Sequence, residues 1–474
     1  MNNYIVSRKQ EINRLETLYK SNSPEFVAIY GRRRVGKTYL VRSMFEKEFA
    51  FDLAGLAKGS LKEQLLNFHL SLKRVANEDF SIPKSWLEAF EQLIVILQKS
   101  TKKRKIIFID EISWLDTHKS GFLTALEHFW NGWACSKRDI LLIVCGSATS
   151  WIVNNLINNH GGLYNRVTAT IELLPFNLHE TELFLKSKNI NWTRYQIAEI
   201  YMIMGGIPFY LDKLKQGKSV AQNIDNIFFS RNAELKKEFK NLFASLFDHA
   251  INYEKIVEIL SSNRNGLTRK EILKRSNMKS GNKITTILNT LEYSGLIRSY
   301  SQPNKKTELL FQIIDSFCLF YFHFMYNNNF RDEKFWTNTL NTPKHNTWTG
   351  LSFEIICLLH VSEIKKKLEI FGVQSSEYVW RSKSSRNAVQ IDLLLDRADN
   401  IVNLCEIKYS TLPFVITKEY EEKLRNKIEI FRLETLTRKA VHLLMLTTFG
   451  TKRNKYSNIA QNEVTLEDLF AVTN

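Results

Sequence analysis

The sequence predicts an α/β multidomain chain, with a parallel sheet built around a phosphate-binding loop near one end and a second α/β domain near the other. Three observations predict it. The stretch GRRRVGKT, Gly31 to Thr38, satisfies the pattern G-x-x-x-x-G-K-[ST] at every fixed position. After Lys103 a basic edge gives way to an unbroken apolar run that ends in Asp110 and Glu111, the signature of a central parallel strand buried on both faces. A third apolar run, Ile401 to Lys408, ends in Glu406 and Lys408, which a strand points to the same side.

Taken in order, the chain opens with an amphipathic helix, Ser7 at its N-cap and Ile12, Leu15 and Leu18 on one face. Phe26 to Tyr30 reads as a buried strand leading into the loop, and Lys37 to Phe45 as the helix leading out. In that context Gly31, Arg32, Arg33, Arg34, Val35, Gly36, Lys37, Thr38 and Tyr39 form a nucleotide cradle: glycines let backbone amides close on phosphate oxygens, and the helix N-terminus adds its positive dipole. Lys37 is expected to reach the β- and γ-phosphates and the Thr38 hydroxyl to hold Mg²⁺. Asp52 and its apolar neighbours read as a second strand, and Leu61 to Leu97 as one helical stretch.

The acids after the third strand complete the site. Asp110 is placed to hold Mg²⁺ through water and Glu111 to activate the attacking water; the other reading is a cap for the next helix. Ile140 to Cys145 is a further buried strand, ending where Ser147 or Thr149 either senses the γ-phosphate or caps a helix. Arg166, after a glycine-rich loop, reads equally as an arginine finger offered to a neighbouring subunit and as an ordinary surface arginine. Asn177 to Leu214 is helical, with Gly205, Gly206 and Pro208 as a helix stop.

These motifs resemble the archaeal-type branch of the AAA+/STAND P-loop ATPases, whose members are also common in bacteria. The likeness rests on Val6 to Arg8 in place of a Gly-Arg-Glu box, GRRRVGKT, Ile109 to Glu111, CGSATSW from Cys145, GGLYNR ending at Arg166, and GGIPFYL from Gly205. It implies that Arg8 and Pro208 lie near the adenine and that the segment after Phe176 is a helical lid. The opening box departs from the usual form, with Ser7 for the glycine and Lys9 and Gln10 for the acidic step.

Tyr253 to Tyr300 looks like a winged helix. Ile256, Ile259 and Leu260 share a face, Thr268 and Glu271 make a capping box, Ile284 to Leu296 is the third helix, and Pro303 to Lys306 marks a basic wing. Such a module either reads DNA, with Asn282 and Lys283 near the groove, or serves as a structural part of the lid. Leu309 to Tyr326 approaches membrane-spanning length but carries Gln312, Asp315 and His323, so it reads as an interior seam. Arg331 to Trp348 reads as a linker.

In the C-terminal part, Gly350 to Glu354 starts an apolar helix, Asp392 enters one strand, and Glu406 lies on the next, one hairpin away. The order Glu354, Asp392, Glu406, Lys408 resembles the PD-(D/E)XK nuclease core, with Gln390 and Ile391 where a proline is usual. The likeness implies Mg²⁺ on Asp392 and Glu406 with Glu354 nearby, and Lys408 as the group that positions or deprotonates water. A basic helix, Lys418 to Arg432, would guide a phosphate backbone; an exposed cross-strand ion pair is the plainer reading of Glu406 and Lys408.

Lys and Arg number 66 against 49 Asp and Glu, a net charge of +17, which favours a polyanionic partner such as DNA. The five cysteines show no metal-ligand spacing and read as buried thiols of a reducing cytosol. With no signal-peptide layout at the start, the expectation is a soluble cytoplasmic chain with no membrane partner. The expected fold is thus a P-loop NTPase parallel sheet over 1–176, a helical lid over 177–245, a winged helix with its apolar seam over 246–335, and a restriction-endonuclease-like α/β domain over 336–474. The expected function is Mg²⁺-dependent ATP hydrolysis that controls DNA binding or cleavage; the alternatives are a DNA- or protein-binding switch with an inactive nuclease fold, and an ATPase acting on a protein partner. Arg166 acting in trans would make it a homo-oligomer.

Overall fold

A computed structural model describes residues 5–76, 79–159, 161–247, 249–263, 265–278, 281–302, 305–382 and 389–472, and their side chains except those of 302 and 305–308. The chain divides into two units, Met1–Pro175 and Phe176–Asn474.

In the first unit five strands, β1 (Glu25–Tyr30), β2 (Phe49–Ala54), β3 (Lys105–Asp110), β4 (Ile140–Gly146) and β5 (Ala169–Glu172), form one parallel sheet in the order β2-β3-β4-β1-β5. Every residue of β4 is buried, as its central place requires. Helices α1 (Lys9–Lys20), α2 (Lys37–Phe45), α3 (Leu61–Val75), α4 (Trp86–Lys99) and α5 (Phe122–Gly132) accompany it. The single helix expected from Leu61 to Leu97 is two. Pro83 lacks an amide proton and disfavours helix at the residue before it, and Ser85 starts α4 afresh by accepting the Glu88 amide. Phe68, Trp86, Phe90 and Phe122 then pack ring on ring beside the sheet.

The second unit opens with the helices Leu178–Ser187 and Arg194–Met204, each with a capping box, Asn177 with Glu180 and Thr193 with Gln196. Further on, the helices Ala250–Ser261, Arg269–Ser276 and Asn282–Tyr293 carry a three-stranded antiparallel sheet of β6 (Leu267–Thr268), β8 (Lys305–Ile313) and β7 (Ile297–Gln302). Pro303 and Asn304, at the expected wing tip, lie outside the described residues. The seam after β8 is a helix, Ser316–Phe320, capped by the Asp315 carboxylate on the Cys318 amide at 2.8 Å.

Residues 331–348 are packed rather than a linker. Trp336 and Trp348 are buried and stand edge-on to one another at 5.4 Å and to Phe324. The polar residues between them cap and turn short helices, so the composition of a loop clothes a structured segment. Asp225 receives the Trp336 amide at 2.7 Å and the Thr337 hydroxyl at 2.5 Å, which fixes its start.

The last layer is a mixed sheet, β13 (Asn462–Thr465), β12 (Ala440–Thr447), β11 (Ile401–Lys408), β10 (Gln390–Arg397) and β9 (Ser375–Arg381), in that order. β9, β10 and β11 run antiparallel; β11, β12 and β13 run parallel. Asn400, at φ 65°, makes the tight turn between β10 and β11. The parallel pair β11 and β12 needs a crossover, supplied by the helix Lys418–Thr435, which buries Leu424 and Phe431 on the sheet. Among the described residues, no helix is long and apolar enough to cross a membrane. Four of the cysteines are buried and Cys135 is half-buried, all as free thiols.

Trp348→Ala should open a cavity in the aromatic layer and cost about 3–5 kcal/mol, seen as an earlier urea transition by circular dichroism. A shift below about 1 kcal/mol would mean that this layer contributes little to stability.

Candidate functional site

The parallel sheet ends its strands level with one another. Ile29 pairs with Cys145, and Ile109 with Val144, so the loops after β1, β3 and β4 leave from one edge. That carboxyl edge is where open parallel sheets take ligands.

The loop after β1 depends on two glycines. Gly31 has φ 138°, and a Cβ there would stand 2.3 Å from the Leu173 carbonyl oxygen. Gly36, at φ 96°, opens α2 and has no described atom within 4 Å of where a Cβ would stand, leaving room above the helix N-terminus. Lys37 is buried, and its ammonium donates to the carbonyls of Gly31 at 2.8 Å and Arg32 at 3.0 Å. Burial pushes its pKa down, against the pull of Glu111 and Asp110. Arg32 is buried, Arg33 and Arg34 half-buried, and Tyr39 exposed.

The Thr38 hydroxyl donates to Asp110 Oδ2 at 2.7 Å, and Asp110 Oδ1 accepts the Glu111 amide at 3.0 Å. Burial pushes the Asp110 carboxyl up, the Thr38 bond opposing it. Glu111 adopts φ 46°, rare for a residue with a side chain, and its carboxylate accepts the Ser147 amide at 3.0 Å and the Ser147 hydroxyl at 2.8 Å. Ser147 therefore orients Glu111. Thr149 is buried.

Arg8, buried at φ 63°, donates to the Leu174 carbonyl at 2.7 Å and the Val35 carbonyl at 3.4 Å, and so braces the loop from the side. Arg166 is exposed, in a turn closed by its amide on Leu163. Pro208, in the second unit, is the first residue of a short helix. Sequence reasoning missed Gln64, fully buried on α3, whose amide joins both backbone groups of Leu56 to the Trp114 carbonyl. It holds the segment that follows Glu111; a glutamine on an apolar helical face was its signal.

In the second unit a cavity of about 470 Å³ brings together Asp392, Glu406 and Lys408 with Lys423, Asn426 and Lys427. Leu393 stands opposite Cys405 on the hairpin, so the next pair along is Asp392 and Glu406. Burial would raise the Glu406 carboxyl, but Lys427 at 2.7 Å, Lys408 at 3.0 Å and the Tyr420 hydroxyl outweigh it and hold it at about 2. Asp392 accepts from the Gln390 amide. Asn265, from the loop before β6, also lines the cavity, and its Oδ1 is buried with no hydrogen-bond partner among the described residues. Glu354 is buried on the helix Pro343–Leu359 and is not among the lining residues. Among the described residues, no group of three His, Cys, Asp or Glu side chains is placed to hold a metal ion. Asn282 and Lys283 are exposed at the start of their helix. Tyr420 and Lys427 were missed as partners of Glu406; their i, i+7 spacing was the available signal.

The folded Glu406 carboxyl lies below its unfolded value of ~4.3. Its contribution to stability is therefore complete above that value and lost as the pH falls through about 2. Urea titrations from pH 6 to pH 2.5 should show Glu406→Gln lying below wild type at pH 6 and converging on it in acid.

The family described as an ATPase domain predominantly from Archaea matches residues 5–214. An uncharacterized protein of Methanocaldococcus jannaschii is 25% identical over 437 residues, which are 90% of this chain and 93% of that one. An uncharacterized ATP-binding protein of the same organism is 42% identical over 43 residues, 9% of this chain and 73% of the relative. Among solved structures, the Walker-type ATPase of Pyrococcus abyssi is similar at a TM-score of 0.48 and 18% identity, covering 67% of this chain and 96% of that one.

Proposed function

We propose, from the premise that residues 5–214 are a P-loop ATPase domain of the family found predominantly in Archaea, that ATP hydrolysis here is Mg²⁺-dependent and controls DNA binding or cleavage at the Asp392, Glu406 and Lys408 cavity. The observation that carries the first half is the Thr38 hydroxyl on Asp110 beside a buried Lys37 whose ammonium donates to two neutral carbonyls. That donor set fits a triphosphate and its cation: Lys37 exchanges carbonyl oxygens for phosphate oxygens, and Thr38 and Asp110 hold Mg²⁺. The ion, when bound, supplies charge neutralisation on the phosphates. Glu111 takes the proton of the attacking water after its carboxylate leaves the Ser147 hydroxyl. Arg166 is the proposed finger to a second copy of the chain.

What supports the second half is the meeting of Asp392, Glu406 and Lys408 in one cavity with further lysines, a setting for a phosphodiester. In this reading 177–245 is the lid, 246–335 a winged helix and 336–474 a nuclease-like domain. One observation favours a binding switch without cleavage: Glu406 is engaged by both Lys408 and Lys427.

Phosphate release with Mg²⁺ should fall at least a hundredfold in Lys37→Ala and in Glu111→Gln, while Glu111→Gln still binds a fluorescent ATP analogue. Retained turnover in Glu111→Gln would remove it as the base. Plasmid and single-stranded DNA should be cut with Mg²⁺ or Mn²⁺ by wild type and not by Asp392→Ala, with ATP dependence lost in Lys37→Ala. ATP turnover with salt-sensitive DNA binding and no cleavage would establish the switch.

A further inference from the structure

A second cavity of the Phe176–Asn474 unit, about 610 Å³, shares no residue with either site above. It lies between the end of the helix Ala250–Ser261, the turn after Met325 and the start of the helix Pro343–Leu359. Its volume is in the range of small-molecule pockets, which run from about 300 to 1,000 Å³.

The polar groups on its wall are specific in kind. His323 Nδ1 is 2.9 Å from the Leu319 carbonyl, which only accepts, so Nδ1 carries the proton and Nε2 offers a lone pair. Burial, with Lys344 adding to it and the Leu319 carbonyl opposing it, lowers the imidazole pKa. Asn329 spends its carbonyl on the Arg331 amide at 3.1 Å and keeps its two N–H donors. Asn328 is bonded at both ends, to the Phe324 carbonyl and the Phe330 amide, and fixes the turn that presents Asn329. Asp332 is likewise committed, to the Lys334 amide and the Asn338 side chain, both at 2.9 Å.

Two charges complete the wall: among the described residues neither the Glu258 carboxylate nor the Lys344 ammonium is in a salt bridge. Lys344 stands 5.1 Å over the Phe324 ring, which holds it at the wall as a cation. Phe322 and Tyr326 are tilted to one another by 58° with ring centroids 5.3 Å apart, forming an aromatic corner, and Tyr326 is 42% exposed. The cavity thus offers an aromatic corner, an anionic acceptor, a neutral acceptor, amide donors and one cation.

We propose that this cavity binds one nucleotide, its base against Phe322 and Tyr326, its exocyclic amino group on Glu258 and its phosphate at Lys344. Aromatic faces stack any base, so selectivity comes from the edge groups. A carboxylate accepts from the exocyclic amino group of adenine, cytosine or guanine; thymine carries only oxygen at its exocyclic positions, with N3–H as its one edge donor, and binds more weakly. The ligand is a free mononucleotide or one unstacked nucleotide of a single strand, which share this chemistry.

The test uses the full chain carrying Lys37→Ala and Asp392→Ala, so that neither earlier site reports, and titrates dAMP, dCMP, dTMP, oligo(dA) and oligo(dT) by calorimetry. Saturable binding of dAMP and dCMP, with dTMP weaker by about tenfold, is expected, since a hydrogen bond to a charged group is worth about that factor. Lys344→Met should weaken dAMP by about tenfold and leave deoxyadenosine unchanged. Glu258→Gln should erase the preference over dTMP. Similar affinities for dAMP and oligo(dA) assign the free nucleotide; binding of oligo(dA) alone, with the same response to Glu258→Gln, assigns a strand. Absence of saturable binding for all the probes, equal affinity for dTMP, or indifference to both substitutions would overturn the proposal. Because both earlier sites are disabled, failure here leaves the ATPase and the Asp392 readings standing.

Discussion

The hydrogen bond from Thr38 to Asp110 is the constraint on which the first unit's site depends. It joins the start of α2 to the end of β3, although β4 lies between β3 and β1 in the sheet. It forms because the strands end level: Ile29 with Cys145 and Ile109 with Val144 put Asp110 at the height where the loop after β1 turns into helix. The same level sets Glu111 against Ser147, one step beyond β4, so the second acid is positioned by the neighbouring strand and not by its own. Slipping β3 by one residue would turn its side chains to the other face and take both bonds apart, because Asp110 and Glu111 both stand at its end.

How much of this was legible follows from how local each feature is. GRRRVGKT between an apolar run and a helix can be read in a short window, because Gly31 and Gly36 both serve positive φ values within it; the close approach of the Leu173 carbonyl to Gly31 is a further, non-local demand. The break at Pro83 was present in the sequence as well, but the apolar period on each side masked it. The segment 331–348 misled for the opposite reason: Asn and Thr usually mark loops, yet Trp336 and Trp348 among them bury against Phe324. Composition records what faces water; a pair of tryptophans at the right spacing decides what is packed.

The cavity of Asp392 and Glu406 shows where local reading ends. Asp392 and Glu406 are neighbours through a hairpin, and hairpin register follows from a short turn at Asn400. Lys427 reaches Glu406 from a crossover helix 21 positions on, and Asn265 lines the same cavity from a loop before β6. Such meetings depend on how the helix Lys418–Thr435 lies across the sheet, set by the burial of Leu424 and Phe431 and not by any spacing between the charged residues. Glu354 follows the same order in the sequence and is buried on the helix Pro343–Leu359, which no local window of the strands would place.

Both sites hold lysines against internal acceptors, and the acceptors differ in a way that matters for phosphate entry. Lys37 rests on two neutral carbonyls, which a phosphate oxygen replaces with a charged partner, so the exchange is favourable even for a buried ammonium. Lys408 and Lys427 rest on an ionised, buried Glu406. A phosphate entering there must separate that pair or share the lysines with it, and leaving Glu406 buried without a cation is strongly unfavourable. The resident ion pair therefore opposes a phosphate arriving alone at this cavity, whereas the neutral acceptors of Lys37 do not oppose one at the first site.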